Sequence, residues 1–239
     1  FIYGFWYWIL HRLKVPFKII LVSGIFMIIL YALMTGLGAS VIRAAFMLIF
    51  ILLGKLINRD THSVALLSLV GLLMLIYNPA YINNVSFQLS FLVTFGLLVS
   101  ADSVFEKFKK VPQWLSSAIG IPIIAQIWVI PLQMFYFNTI STYSIFANIL
   151  TVPFLSIVSF LGFVSSVLSI IKTIADFVCK YVDIILNPLL IVIVWISDYF
   201  GNLGHSIFIT THPSVFQIII YYIIVMLCIL MLNEEYRGK

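Results

Sequence analysis

Polar residues break the chain into eight apolar stretches, at residues 19–35, 41–57, 63–77, 85–101, 115–137, 145–171, 181–199 and 214–232. Runs near this length suit a helix crossing hydrocarbon, where each backbone group must be satisfied within its own segment. The pattern therefore predicts an all-α, polytopic helical membrane protein with about eight transmembrane segments. Phe1–Leu10 (FIYGFWYWIL) is too short to cross and crowded with aromatic rings. It reads as the end of an earlier helix or as an interfacial segment. Gly36 and Gly38 separate the first two stretches, and Pro79 separates the third from the fourth. Pro122 and Pro131 fall inside 115–137, and Pro153 near the start of 145–171. Each proline frees a carbonyl that needs another partner, so proline-broken or re-entrant helices are expected. For 145–171 the choice is between a half-helix followed by a full helix and a simple kink.

Composition agrees. Of 239 residues 63% are hydrophobic and 9% charged, and the mean hydropathy is +1.18. A soluble domain of this length would need a more polar surface. Cys179 and Cys228 fit no metal or disulfide spacing. The first residue is Phe1 rather than Met, and the chain is expected to be one membrane domain, 1–239, cut from a longer protein.

Charge adds an orientation. The loops His11–Lys18, Lys55–His62, Asp102–Lys110 and Lys172–Lys180 and the tail Arg237–Lys239 carry Lys or Arg; Gly36–Ser40, Asn78–Asn84, Asn138–Ser144 and Gly201–Pro213 carry none. The alternation places the basic loops in the cytoplasm, provided 145–171 crosses once. Asp102–Gln113 mixes Phe with Lys and is expected to lie along the inner membrane surface. Arg43 is then the one Lys or Arg nearer the outer face. An arginine at membrane depth marks a functional site by default, the plainer reading being that it snorkels to the headgroups.

Few polar residues interrupt the spans. Gln88 and Ser90 lie in VSFQLSFLVTF, Gln126 and Gln133 share a helical face two turns apart, and Asn148 precedes Pro153. Such groups either bond neighbouring helices or line a hydrated path, where neutral amides contact phosphate without sequence preference. Ser159, Gly162, Ser166 and Ser169 form a small-residue stripe suited to a close helix contact. Lys172, Asp176 and Lys180 are spaced as an ion-pair ladder, and Asn84-Val85-Ser86 matches a glycosylation sequon. No Asp or Glu falls in the middle of a span, which disfavours ion-coupled transport. There is no phosphate-binding loop, and His11, His62, His205 and His212 make no metal or catalytic motif. No enzyme activity and no cofactor are expected.

Five ordered segments carry a resemblance: GASVIRAAFM (38–47), YNPAY (77–81), FQLSF (87–91), IPLQMFYF (130–137) and ANILTVP (147–153). Together they resemble the competence domain of the ComEC family, clearly from Gly36 to the mid-150s and more diffusely beyond. The resemblance implies a bacterial inner-membrane channel admitting single-stranded DNA during natural transformation. It also implies a cytoplasmic helicase-like ATPase and other competence proteins as partners, beside the lipid bilayer and a second copy of the chain. The family's oligonucleotide-binding fold and metallo-β-lactamase-like nuclease have no counterpart here, since there is no H-x-H-x-D-H cluster and no alternating β pattern. The family's nuclease faces outside, whereas the charge count puts the C-terminus inside. On the conduit reading, Arg43 offers phosphate its guanidinium fork, and Ser40, Gln88, Ser90, Gln126, Gln133 and Asn148 supply neutral contacts deeper in. A small-solute carrier and a structural membrane anchor are the competing expectations.

Overall fold

The computed structural model describes residues 2–107, 112–169 and 172–237. These form nine α-helices: α1 (Ile2–Arg12), α2 (Phe17–Met34), α3 (Ala39–Leu56), α4 (Ser63–Tyr77), α5 (Val85–Lys107), α6 (Gln113–Phe137), α7 (Ser144–Leu168), α8 (Lys172–Gly201) and α9 (Val215–Arg237). A 3-10 turn at Pro79–Asn83 and two short strands, β1 (Thr139–Ser141) and β2 (Ile207–Ile209), complete them. Among the described residues six helices are long and apolar enough to cross a membrane: α2, α3 and α7, with Leu115–Phe137, Lys180–Gly201 and Val215–Leu232. The chain is thus an all-α polytopic membrane protein. At 15 residues, α4 is about 22 Å long, short of a hydrocarbon core of about 30 Å.

The fold divides into two compact units, Phe1–His62 with Leu150–Asn202 and Ser63–Ile149 with Leu203–Lys239. In the first, α1, α2 and α3 bury Leu21, Ile28 and Leu52 against Tyr3 and Leu48. Gly24 lets α1 approach, since a Cβ there would lie 2.6 Å from the Tyr3 ring. Ile2, Met27 and Phe163 form a second cluster, and Trp6 Nε1 donates to Ser23 Oγ at 3.1 Å. The turn from α2 to α3 needs a left-handed backbone, with φ +81° at Gly36 and 56° at Leu37. Gly38, at φ −57°, stands just before α3 in a conformation open to any residue.

The second unit is built on α5, α6 and α9. The Trp128 indole occupies the space left by the missing side chain of Gly96, and a Cβ there would clash with its Cγ, Cδ1 and Cδ2 atoms. Trp128 Nε1 donates to buried Ser100 Oγ at 3.1 Å. Phe95 meets the indole edge-on, Tyr222 of α9 stacks on it at 5.7 Å, and Ile124 and Ile229 close the core. Pro79 opens the 3-10 turn, where the Asn78 side chain accepts from Ala80 N–H. Asn84 Oδ1 accepts from Phe87 N–H at 3.1 Å, so the sequon asparagine caps α5. β1 and β2 pair antiparallel, Thr139 opposite Ile209 and Ser141 opposite Ile207.

Several expectations change. No strand was expected, yet the loops Asn138–Ser144 and Gly201–Pro213 zip together through this ribbon. α7 and α6 run unbroken through Pro153, Pro122 and Pro131; a proline costs its helix one hydrogen bond and a local clash, which long apolar flanks absorb. The loop expected at Lys172–Lys180 is the opening of α8. Ser166 Oγ bonds back to Gly162 O, Ser169 Oγ bonds to Ser166 O, and nothing lies within 4 Å of a Cβ at Gly162. Those hydroxyls are therefore satisfied within their own helix. Within the Asp102–Gln113 stretch α5 runs to Lys107, and Phe108–Val111 lie outside the described residues. Of the ladder Lys172, Asp176, Lys180, the side chains of Lys172 and Asp176 lie outside the described set, and Lys180 is exposed.

Candidate functional site

At Pro131 of α6 the hydrogen bond that the helix loses is replaced from another helix. A proline at this position removes the N–H that would bond to the carbonyl four residues earlier, Ile127. The Tyr221 hydroxyl of α9 donates to that carbonyl at 3.0 Å. One residue on, the Tyr222 hydroxyl donates to Trp128 O at 3.0 Å. α9 thus supplies the donor that α6 lacks. Beside Pro131 lies a cavity of about 350 Å³, lined also by Met134, Thr211, Pro213, Gln217 and Tyr221.

The glutamines of the second unit fall into two groups. Gln88 is engaged at both ends of its amide: its Nε2 donates to Ile82 O at 2.7 Å and its Oε1 accepts from the Tyr136 hydroxyl at 2.6 Å. It ties α5 to both the 3-10 turn and α6, as helix-bonding amides do. Gln126 is half-used. The Ser144 hydroxyl shares its one proton between Gln126 Oε1 at 3.0 Å and Ser141 O at 3.2 Å, and Gln126 Nε2 donates to none of the described residues. Gln133 makes no hydrogen bond among the described residues, and its Oε1 is buried. The face shared by Gln126 and Gln133 therefore presents two unspent amide groups about 10 Å apart along α6. Ser90 is half-buried on α5, its backbone carbonyl accepting from Thr94 Oγ1 at 2.9 Å. Asn148 is exposed in the second turn of α7.

Ser40 and Arg43 belong to the first unit, in the first turn and a half of α3. Ser40 lines a second cavity, of about 320 Å³, together with Tyr3, Tyr31, Ala44, Leu48 and Ser159. Arg43 is half-buried but is not among the residues lining that cavity. At 100° per residue it sits on the side of α3 turned away from Ala44 and Leu48. Ser40, about 60° from Arg43 around α3, lies at the edge of the cavity face nearest the arginine.

Tyr136, Ser144, Tyr221 and Tyr222 were not among the sequence candidates. Tyr136 stands inside the IPLQMFYF segment, three residues after Gln133, and was legible as a polar tip on an apolar body. The tyrosines of α9 lie more than 90 residues from their acceptors, a separation no local pattern bridges. Among the described residues no group of three or more His, Cys, Asp or Glu could hold a metal ion.

The comparisons with known proteins bear on the whole chain. ComE operon protein 3 of Bacillus subtilis (strain 168) is 26% identical over 211 residues, covering 86% of this chain and 26% of that protein. The chain therefore spans about a quarter of the length of the curated relative it matches. No solved structure matches it. The Competence protein family matches residues 1–235, nearly end to end, and the chain belongs to that family.

Proposed function

We propose that this chain acts in DNA uptake, as the membrane conduit through which single-stranded DNA crosses the bacterial cytoplasmic membrane. Membership of the Competence protein family supports the biological role. The observation that carries the conduit reading is the pair of unspent amides, Gln126 and Gln133, on one face of α6. Phosphates leaving water need donors along the way, and donors already spent on neighbouring helices cannot serve. Neutral amides hold a polyanion weakly enough to let it move on. Arg43, on α3 of the other unit, is a further candidate contact, its guanidinium fork suited to phosphate. In this reading the basic loops face the cytoplasm, where an ATPase partner supplies the force. The chain itself performs no chemistry on the strand and takes no cofactor.

The test uses cells whose sole copy of the full-length protein carries Gln126→Leu with Gln133→Leu. Internalised single strands are measured from labelled donor DNA, and membrane abundance is measured by blot. The expected result is a fall in uptake of tenfold or more at unchanged abundance, on the order of two lost charge-assisted contacts. Arg43→Gln is expected to reduce uptake likewise, with Arg43→Lys recovering part. Unchanged uptake in the double leucine variant would overturn the conduit role of these amides. A parallel drop in uptake and abundance would mean they hold the helices together.

A further inference from the structure

The stretch from Gly204 to Ser214 is polar except for Ile207-Phe208-Ile209, and those three residues form β2. They are 58%, 51% and 87% exposed, and Ile209 is the most exposed large apolar side chain among the described residues. On a spanning helix such exposure is what contact with lipid requires. β2, however, lies outside every spanning helix.

Three contacts fix how deep the ribbon sits. β1 starts two residues after the end of α6, and Thr210 N–H donates to Asn138 O at 2.9 Å. The His212 ring packs on Phe135 of α6 at 4.3 Å between centroids. Thr211 and Pro213 line the cavity beside Pro131, which lies six residues, about 9 Å, back along α6 from its end. The chain leaving β2 therefore folds down the flank of α6 instead of standing off into water. Three residues of strand measure about 10 Å, close to the thickness of one headgroup layer at about 5–8 Å. A two-stranded ribbon has unpaired backbone edges, which bars it from the hydrocarbon centre. Its bare apolar side chains disfavour open water. The headgroup boundary satisfies both demands.

We propose that the β1–β2 ribbon is a bilayer-interface anchor, with Ile207, Phe208 and Ile209 set among the outermost acyl methylenes and the flanking His205 and His212 among the headgroups. The partner is the lipid surface itself. The anchor holds the mouth end of α6 and α9 at a fixed height, independently of what passes through the protein.

The test is spin-label accessibility in the full-length protein, reconstituted in nanodiscs of phosphatidylcholine and phosphatidylglycerol. Single cysteines are placed by Phe208→Cys, Ile209→Cys and, as an aqueous reference, Gly204→Cys, with the other cysteines replaced by serine. These positions are exposed, so the label displaces no packed neighbour, and monodisperse elution confirms each variant. Molecular oxygen is expected to collide with the labels at 208 and 209 at least threefold more often than a water-soluble nickel chelate, with the order reversed at 204. Nickel dominating at 209 would overturn the anchor and leave the ribbon in water. Low collision with both probes would also overturn it, by showing that protein or a second copy of the chain covers the face.

Discussion

The Tyr221 hydroxyl should be worth more to the chain while Pro131 is present than after it is replaced. In the native sequence the Ile127 carbonyl has no helical donor, and Tyr221 supplies one at 3.0 Å. Tyr221→Phe strands that carbonyl in an apolar setting. Leaving a buried acceptor unmade costs about 1–3 kcal/mol in water-soluble proteins, while interhelical bonds in membrane proteins average about 0.6 and reach about 1.7 kcal/mol. Because the bond is exposed at the protein's surface, the lower range applies and the expected loss is about 1 kcal/mol. Pro131→Ala restores an N–H facing Ile127 O, so Tyr221→Phe in that background should cost only about 0.3 kcal/mol. The coupling expected from the double-mutant cycle is therefore about 0.7 kcal/mol. Tyr222→Phe provides the control: Trp128 O keeps the helical N–H of Leu132, so its cost should add to that of Pro131→Ala without coupling. The assay is reversible unfolding in mixed micelles with increasing dodecyl sulfate, followed by far-ultraviolet circular dichroism. Equal losses for Tyr221→Phe in both backgrounds would refute the idea that α9 repairs the proline-broken ladder.

The remaining predictions use the same unfolding assay. Gly96→Ala drives a methyl into the Trp128 indole and should cost about 1–3 kcal/mol, with Trp128→Phe in the same chain recovering part of the loss by vacating the ring position. Gly36→Ala forces a side chain into φ +81° and should cost about 1–2 kcal/mol, while Gly38→Ala, at φ −57°, should cost well under 1 kcal/mol. Asn84→Ala removes the α5 cap and should cost about 1 kcal/mol, with Asn84→Asp nearly neutral because the carboxylate still accepts from Phe87 N–H.

Much of the helical frame was legible because lipid imposes one strict demand, and the apolar stretches 19–35, 41–57 and 214–232 coincide with α2, α3 and the spanning part of α9 within two residues. The ComEC resemblance, read from five short segments, agrees with a family match over nearly the whole chain. Boundaries failed where polarity does not decide helicity: α8 begins at Lys172, among charged residues that read as a loop. The ribbon was invisible because Thr139–Ser141 and Ile207–Ile209 are three residues each, too short for alternation to register, and pair across more than 60 positions. The polar site was half legible. Gln88, Gln126 and Gln133 stood out as amides in apolar runs, but which amide groups are spent depends on Tyr136 and Ser144, whose approach is a product of packing. Arg43 was read as the outer contact and Ser40 as a deeper one; on α3 the two lie about 60° apart, and of the pair Ser40 lines the cavity beside Tyr3 and Tyr31.

The apolar windows of α5, α6 and α9, at Val85–Ala101, Leu115–Phe137 and Val215–Leu232, hold their contacts with hydroxyls, amides and an indole, and contain no Asp, Glu, Lys or Arg. A transmembrane potential does work only on charge, at about 2.3 kcal/mol per elementary charge for each 100 mV. Movement of these windows carries no side-chain charge through the hydrocarbon; the charges of α5 (Asp102, Glu106, Lys107) and of α9 (Glu234, Glu235, Arg237) lie beyond them, towards the helix ends. The potential therefore does its work on these helices at their ends and not across their apolar middles.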